Sequence, residues 1–151
     1  MEIVAFRPEH AEAFRVLNEA WISKHFTLEA KDREVLEDPH GKILAEGGAI
    51  FMAVEGDEPV GCVALLKMAD GGYEVAKMTV AESQRGSGLG RQLMQACIDE
   101  GLRRGAHRLY LETNSSLAPA LGLYRAMGFK DLAPCDTEYA RCDVWMERPL
   151  P

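Results

Sequence analysis

A chain of 151 residues has room for one hydrophobic core and one domain. Its content, 47% hydrophobic and 27% charged, is that of an ordinary globular protein and argues against a disordered or fibrous chain. The formal charge of −7 argues against a general attraction to nucleic acid or to an anionic membrane, and neither is expected as a partner. Glu2 and Arg7 interrupt the first residues, which do not read as a secretory signal, and no stretch approaches the ~20 apolar residues of a membrane span. Cys62, Cys97, Cys135 and Cys142 form no CxxC pair. Reduced, mostly buried thiols and a cytoplasmic location are expected.

In chain order, residues 2–7 (EIVAFR) read as a first strand. A helix is predicted over residues 9–24, where Ala11, Phe14, Leu17 and Trp21 recur at spacings of three and four. Residues 26–48 carry a mixed, acidic signal, with a short helix at 31–37 and a break at Pro39 and Gly41. Residues 49–68 predict a hairpin, two apolar runs flanking the turn EGDEP. A third strand, YEVAKMTV, follows Gly71 and Gly72. The stretch QRGSGLGR (84–91) then opens a helix reaching about residue 104, with Leu89, Leu93, Ala96, Cys97 and Leu102 as its apolar residues. Residues 107–113 (HRLYLET) form a strand. SLAPALGLYRAMG forms a short helix stopped by Gly128, and FKDL and CDVWME are closing strands. Hairpin-linked early strands imply antiparallel pairing, and the strand–helix–strand unit of residues 73–113 implies a parallel, right-handed crossover. The expectation is one mixed α/β domain over residues 1–151.

A glycine-rich turn between a strand and a helix start suits an anion. Unpaired N–H groups converge there, the helix dipole adds roughly half a positive charge, and glycine lets the backbone come close. A P-loop requires GxxxxGK before Ser or Thr, but Gly90 is followed by Arg91 and Gln92. A Rossmann turn requires GxGxxG. Gly86 and Gly88 fit, but the third place falls on Arg91, and the motif lies mid-chain after a hairpin. The form Gln/Arg-x-x-Gly-x-Gly/Ala, which holds the pyrophosphate of coenzyme A, is met from Arg85 as RGSGLG. It is not met from Gln84, because Ser87 stands in the place of the first glycine. The simpler alternative is a turn that only starts a helix.

YEVAKMTVAESQRGSGLGRQLMQACIDEG, followed by RLYLETNSSLAPALGLYRAMGF, resembles the GNAT superfamily of acyl-CoA-dependent N-acetyltransferases. The resemblance covers residues 73–129, with two motifs in the right order and spacing, and the element order on either side agrees. It is weakest over residues 26–48, where acceptor specificity lies in such enzymes. It implies a GNAT-like fold, a mixed six- to seven-stranded sheet with helices on both faces. It also implies direct acetyl transfer from acetyl-CoA, with no metal and no covalent enzyme intermediate. The pyrophosphate is expected against Arg85, Gly86, Ser87, Gly88, Leu89, Gly90 and Arg91. Local charge agrees: residues 85–108 carry five arginines against two acids, although Arg103 and Arg104 read as a solvated helix face.

Amide formation from a thioester needs a neutral amine, donors for the oxyanion and a stabilised leaving thiolate. By the resemblance, main-chain N–H groups of Met78, Thr79 and Val80 serve the oxyanion, where the strand splays from its neighbour. Tyr124 matches the family's tyrosine facing the coenzyme sulfur, and otherwise packs between helix and sheet. Glu74 matches a glutamate that several members use as base, and otherwise is a cross-strand charge. His25 and Glu29 are weaker alternatives for the base. Asn114 matches a polar position near the pantetheine arm, or caps the helix beginning near residue 116.

The acceptor is expected to be a small-molecule or peptide amine. Residues 29–58 carry nine acids and three bases, which favours a cationic amine if they line its site and otherwise marks a solvated face. A carboxylate-bearing acceptor would instead call on Arg33, Lys24 or Arg141, and Tyr139 with Arg141 is expected to close the pocket. A homodimer through the closing strands is a further expectation. The competing reading is a non-catalytic acyl-CoA-binding sensor.

Overall fold

Alternating apolar residues at the start of the chain fold as an antiparallel meander, and the computed structural model describes residues 1–151. β1 (Glu2–Ala5) ends before Pro8, which opens a single 3-10 turn. α1 (Ala11–His25) and α2 (Ala30–Glu37) follow. β2 (Ala49–Glu55) and β3 (Glu58–Lys67) form the hairpin, and Glu55 pairs with Glu58. The turn is therefore tighter than the five residues EGDEP, with Gly56 at φ +64°. β4 (Tyr73–Val80) leads to α3 (Leu89–Arg103), then β5 (Arg108–Thr113), α4 (Ala118–Ala126), β6 (Lys130–Leu132) and β7 (Val144–Pro149). The sheet has seven strands in the order β1-β2-β3-β4-β5-β7-β6, and only the β4–β5 pair is parallel.

Each sheet face has its own core. On one, Phe14, Ile22, Leu36 and Ile43 pack over Ile50, Met52, Cys62 and Ala64. On the other, Leu93, Met94, Cys97 and Leu121 pack over Val63, Leu65, Leu109 and Met146. A fully buried side chain of this size contributes roughly 1.5–3 kcal/mol. Two local expectations change. The break at Pro39 and Gly41 is instead one turn of π-helix, His40–Leu44, which buries Ile43. Leu102 is exposed, and Gly101 takes the inward place. There a Cβ would lie 3.0 Å from Leu150 and 3.1 Å from Leu109, so a larger residue would have to push these side chains aside by a few tenths of an ångström. The thiols are all free, but only Cys62 and Cys97 are buried; Cys142 is half-buried and Cys135 exposed.

One departure from regularity positions the site. β4 pairs with β5 only at Tyr73–Leu109 and Glu74–Tyr110, whereas β5 pairs with β7 along its whole length. β4 meanwhile stays with β3 to Val80, gaining one extra residue opposite Cys62–Ala64. That bulge contains Lys77 at φ +55°, a left-handed conformation rare outside glycine. Beyond Glu74 the two strands therefore part, and the middle of the sheet opens as a wedge.

Candidate active site

The wedge is the floor of a cleft of about 470 Å³ that reaches from the glycine turn to Trp21, Phe26 and Tyr139. At the glycine end the chain leaves amides free. Gly86 and Gly88 adopt φ +78° and +82°, and α3 begins at Leu89. Ser87 N–H donates to the Gln84 carbonyl at 3.2 Å, and the first bond into the helix is Gln92 N–H to Gly88 at 3.1 Å. The N–H groups of Gly86, Gly88, Leu89, Gly90 and Arg91 have no acceptor in the protein. With the helix dipole behind them they form an anion site.

Of the predicted contacts here, Arg85, Gly86, Gly88, Leu89 and Gly90 line the cleft. The Ser87 hydroxyl turns back onto the Gln84 carbonyl at 2.5 Å, and both Ser87 and Arg91 lie at the exposed rim outside the lining. Arg103 and Arg104 are spent on Glu100, and Arg108 on Asp70 and Glu147. Arg85 and Arg91 make no ion pair within the protein.

Met78, Thr79 and Val80 line the middle of the cleft, on the stretch of β4 that has lost β5 as its neighbour. Main-chain groups on that edge have no strand partner. Thr79 is buried, and its hydroxyl donates to the Leu17 carbonyl at 3.5 Å. Tyr124 enters from α4, its ring 6.1 Å from that of Phe129. Burial pushes its phenol up to about 12, and its hydroxyl has no hydrogen-bond partner in the protein. Asn114 does two structural jobs at once. It donates to the Arg141 carbonyl at 2.7 Å and accepts from Ser116 N–H at 2.8 Å, in a turn that precedes α4.

Glu74 sits where the strands part. Burial, and then the negative charge of Glu112, raise its carboxyl to about 7, against the pull of Lys77. No group of the protein donates a hydrogen bond to it. A carboxylate with proton affinity near neutral is matched to taking a proton at neutral pH.

The far wall is an ion cluster. Asp32 of α2, fully buried, accepts from Lys77 Nζ at 2.6 Å and from both Arg141 Nη atoms at 2.7 Å. Burial opposes its ionisation, but hydrogen bonds from Arg141, Lys77 and the Glu29 N–H win, and its carboxyl falls to about 2. Lys77 and Arg141 both stack on Tyr139, 4.8 and 4.6 Å from the ring centre. Tyr139 and Arg141 thus line the far end of the cleft. Arg141 is already matched by Asp32 and Glu29, Lys24 pairs with Glu82, and Arg33 is exposed. His25 stacks on Trp21 at 4.9 Å, outside the cleft lining, and Glu29 holds Arg141 and the Ala140 N–H. Neither is placed to act as base. Asp32, Lys77 and Glu112 went unnoticed in the sequence, where each looks like an ordinary helix or strand charge.

A glycine turn with free amides, a wedge between parallel strands and a tyrosine from the following helix converge on one cleft. The sequence profile of the acetyltransferase (GNAT) family matches residues 7–129. The chain belongs to the GNAT acetyltransferase family. Its relatives include the uncharacterized N-acetyltransferase YsnE of Bacillus subtilis, 39% identical over 56% of this chain and 57% of the relative. The IAA acetyltransferase of Azospirillum brasilense is 41% identical over 60% of this chain and 61% of its own length. These matches thus span about three fifths of each relative. Among solved structures, a GNAT acetyltransferase from Staphylococcus aureus shares the fold with a TM-score of 0.90 at 18% identity, covering 99% of both chains. An aminoglycoside 6'-N-acetyltransferase solved with coenzyme A gives 0.77 at 18% identity, covering 100% of this chain and 98% of its own.

Proposed function

We propose that the protein transfers the acetyl group of acetyl-CoA to a primary amine by direct attack within a ternary complex. The observation that carries this reading is the arrangement along one cleft. Free amides and unpaired Arg85 and Arg91 stand at one end, unpartnered main chain of Met78–Val80 in the middle, and Glu74 and Tyr124 beside it.

The residues divide the work as follows. The five free amides, with Arg85 and Arg91 at the rim, take the pyrophosphate. Glu74 takes the proton from the ammonium, and the freed lone pair attacks the thioester carbon. The N–C bond forms, and the oxyanion is met by main-chain N–H groups of β4. The C–S bond then breaks with its electron pair going to sulfur. Tyr124 hydrogen-bonds the departing thiolate and relays to it the second proton lost by nitrogen. A phenol raised to about 12 is a poor proton donor alone, so its transfer to sulfur is coupled to its uptake of the second proton from nitrogen. The clustered cations of the far wall are already matched by Asp32 and Glu29, which favours a neutral or cationic acceptor over one carrying a carboxylate.

Thiol release from acetyl-CoA across a panel of amines, with Tyr124→Phe alongside, tests the reading. Turnover on at least one amine, slowed in Tyr124→Phe, is expected. Coenzyme binding with no turnover on any amine would instead identify an acyl-CoA sensor.

A further inference from the structure

Glu74 and Glu112 stand on the same sheet face of neighbouring strands. Glu74 is the register partner of Tyr110, and Glu112 lies two residues further along β5. Both line the cleft, and both also line a second cavity of about 510 Å³ bounded by α2, the π-turn and residues 136–139. The two carboxylates are treated differently by their surroundings. Glu112 Oε2 accepts from the Tyr110 hydroxyl at 2.8 Å, and its Oε1 accepts from the Thr137 hydroxyl at 2.6 Å. Glu74 receives no hydrogen bond. Two donors on a carboxylate favour its charged form, and of two carboxylates lining one site the one without donors is the one that gains a proton. The proton therefore belongs on Glu74.

The remaining charges near Glu74 do not reverse this. Lys77, on the same strand, is engaged by Asp32 at 2.6 Å. Lys31 of α2 is shared between Glu138 at 3.4 Å and Glu34 at 3.9 Å, and Lys42 of the π-turn lies 3.1 Å from Glu34. Lys67 at the end of β3 faces the second cavity together with Glu46, Asp136 and Glu138. On β5 the groups facing Glu74 are Glu112 and the Tyr110 phenol, which burial and Glu112 raise far above its ordinary value, so it stays a donor.

We propose that Glu112 is a positioning residue of the amine site: held by hydrogen bonds from Tyr110 and Thr137, it acts through Glu74 by making Glu74 the group that receives the proton of the incoming ammonium. The inference rests on the reading of Glu74 as base. Glu112 touches no reacting atom. Its two tethers occupy both oxygens, which keeps it from competing for the proton.

The test is a carboxyl ¹³C NMR titration of the full chain, which needs neither acceptor nor turnover. In Glu112→Gln the Glu74 midpoint is expected to fall by about one pH unit, the order of a like charge removed from a half-buried site. Glu112→Asp keeps the charge and is expected to keep most of the elevation. An unmoved Glu74 in Glu112→Gln, or an equal fall in both variants, overturns the proposal. Loss of acetyl transfer in Glu74→Gln is a separate measurement, so the base reading and this inference stand or fall independently.

Discussion

Asp32 and Arg141, 109 residues apart in sequence, meet as a two-pronged ion pair with both N···O distances at 2.7 Å. Asp32 is fully buried and holds Lys77 as well, so one carboxylate ties α2, the β4 bulge and the loop before β7. Removing it leaves two cations short of a partner in a dry wall. Asp32→Asn is expected to cost about 3–5 kcal/mol in urea unfolding, the range for breaking a buried pair from one side. Arg141→Lys keeps the charge and loses the fork, and should cost less. Acid should act on the same link. The folded carboxyl titrates at about 2, below its ordinary value, so its contribution is complete above about pH 4 and disappears as pH falls toward 2. Unfolding midpoints between pH 5 and 2 should drop less steeply in Asp32→Asn than in the wild type.

That pair also marks the limit of sequence reading. The order of strands and helices, the hairpin, the glycine turn and Tyr124 were all legible, because each is written in local periodicity, turn chemistry or a contiguous motif. Asp32 was not. It lies in an acidic run that reads as a solvated face, and only partners 45 and 109 residues away make it internal. Lys77 sits in YEVAKMTV, whose strand pattern gives no hint of an extra residue or a left-handed φ. The wedge itself is a property of where β5 leaves β4 for β7, and pairing choices between distant strands leave no local trace. Glu112 stands in the sequence as one polar residue of LYLET; its hydrogen bond from Thr137, which approaches from a loop, leaves no local trace.

Glu74 is a cleft carboxylate whose burial has a cost in stability. Its carboxyl is raised to about 7, so the folded protein holds the proton more tightly than the unfolded chain does. Stability from this group is present at low pH and is lost as pH rises through about 7. Glu74→Gln should therefore be at least as stable as the wild type at pH 8 by thermal unfolding. Its kcat/KM should fall roughly 10²–10⁴-fold, the usual contribution of a general base. In the wild type kcat/KM should rise through pH 7 as the carboxylate forms, and Glu74→Gln should lose that limb.

Gly88 and Gly90 separate binding from folding at the glycine end of the cleft. Gly88 adopts φ +82°, and an added Cβ would meet nothing within 4 Å. Gly88→Ala thus carries backbone strain of roughly 1–2 kcal/mol without a clash. Gly90 lies inside α3 with ordinary helical φ, and its Cβ would make normal contact with Leu123 at 3.5 Å. Gly90→Ala should therefore raise stability by up to about 1 kcal/mol through helix propensity. Both positions line the cleft, so both variants should bind acetyl-CoA more weakly by calorimetry. Equal affinity in Gly90→Ala would show that the pyrophosphate does not approach this turn.

Tyr124 offers the sharpest division between holding the fold and helping the reaction. Its ring packs near Phe129, while its hydroxyl makes no hydrogen bond within the protein. Tyr124→Phe keeps the ring and so should leave the unfolding midpoint within about 0.5 kcal/mol of the wild type. Coenzyme affinity should also be unchanged, because the free amides proposed to hold the pyrophosphate lie on a different element. In the proposed reaction what is lost is a donor needed only when negative charge gathers on sulfur, and loss of a group that acts only in the transition state lowers kcat and kcat/KM together. The expected result is a fall of roughly 10²-fold or more in both. If kcat holds while the KM for acetyl-CoA rises, Tyr124 packs against the bound coenzyme and the thiolate finds its proton elsewhere.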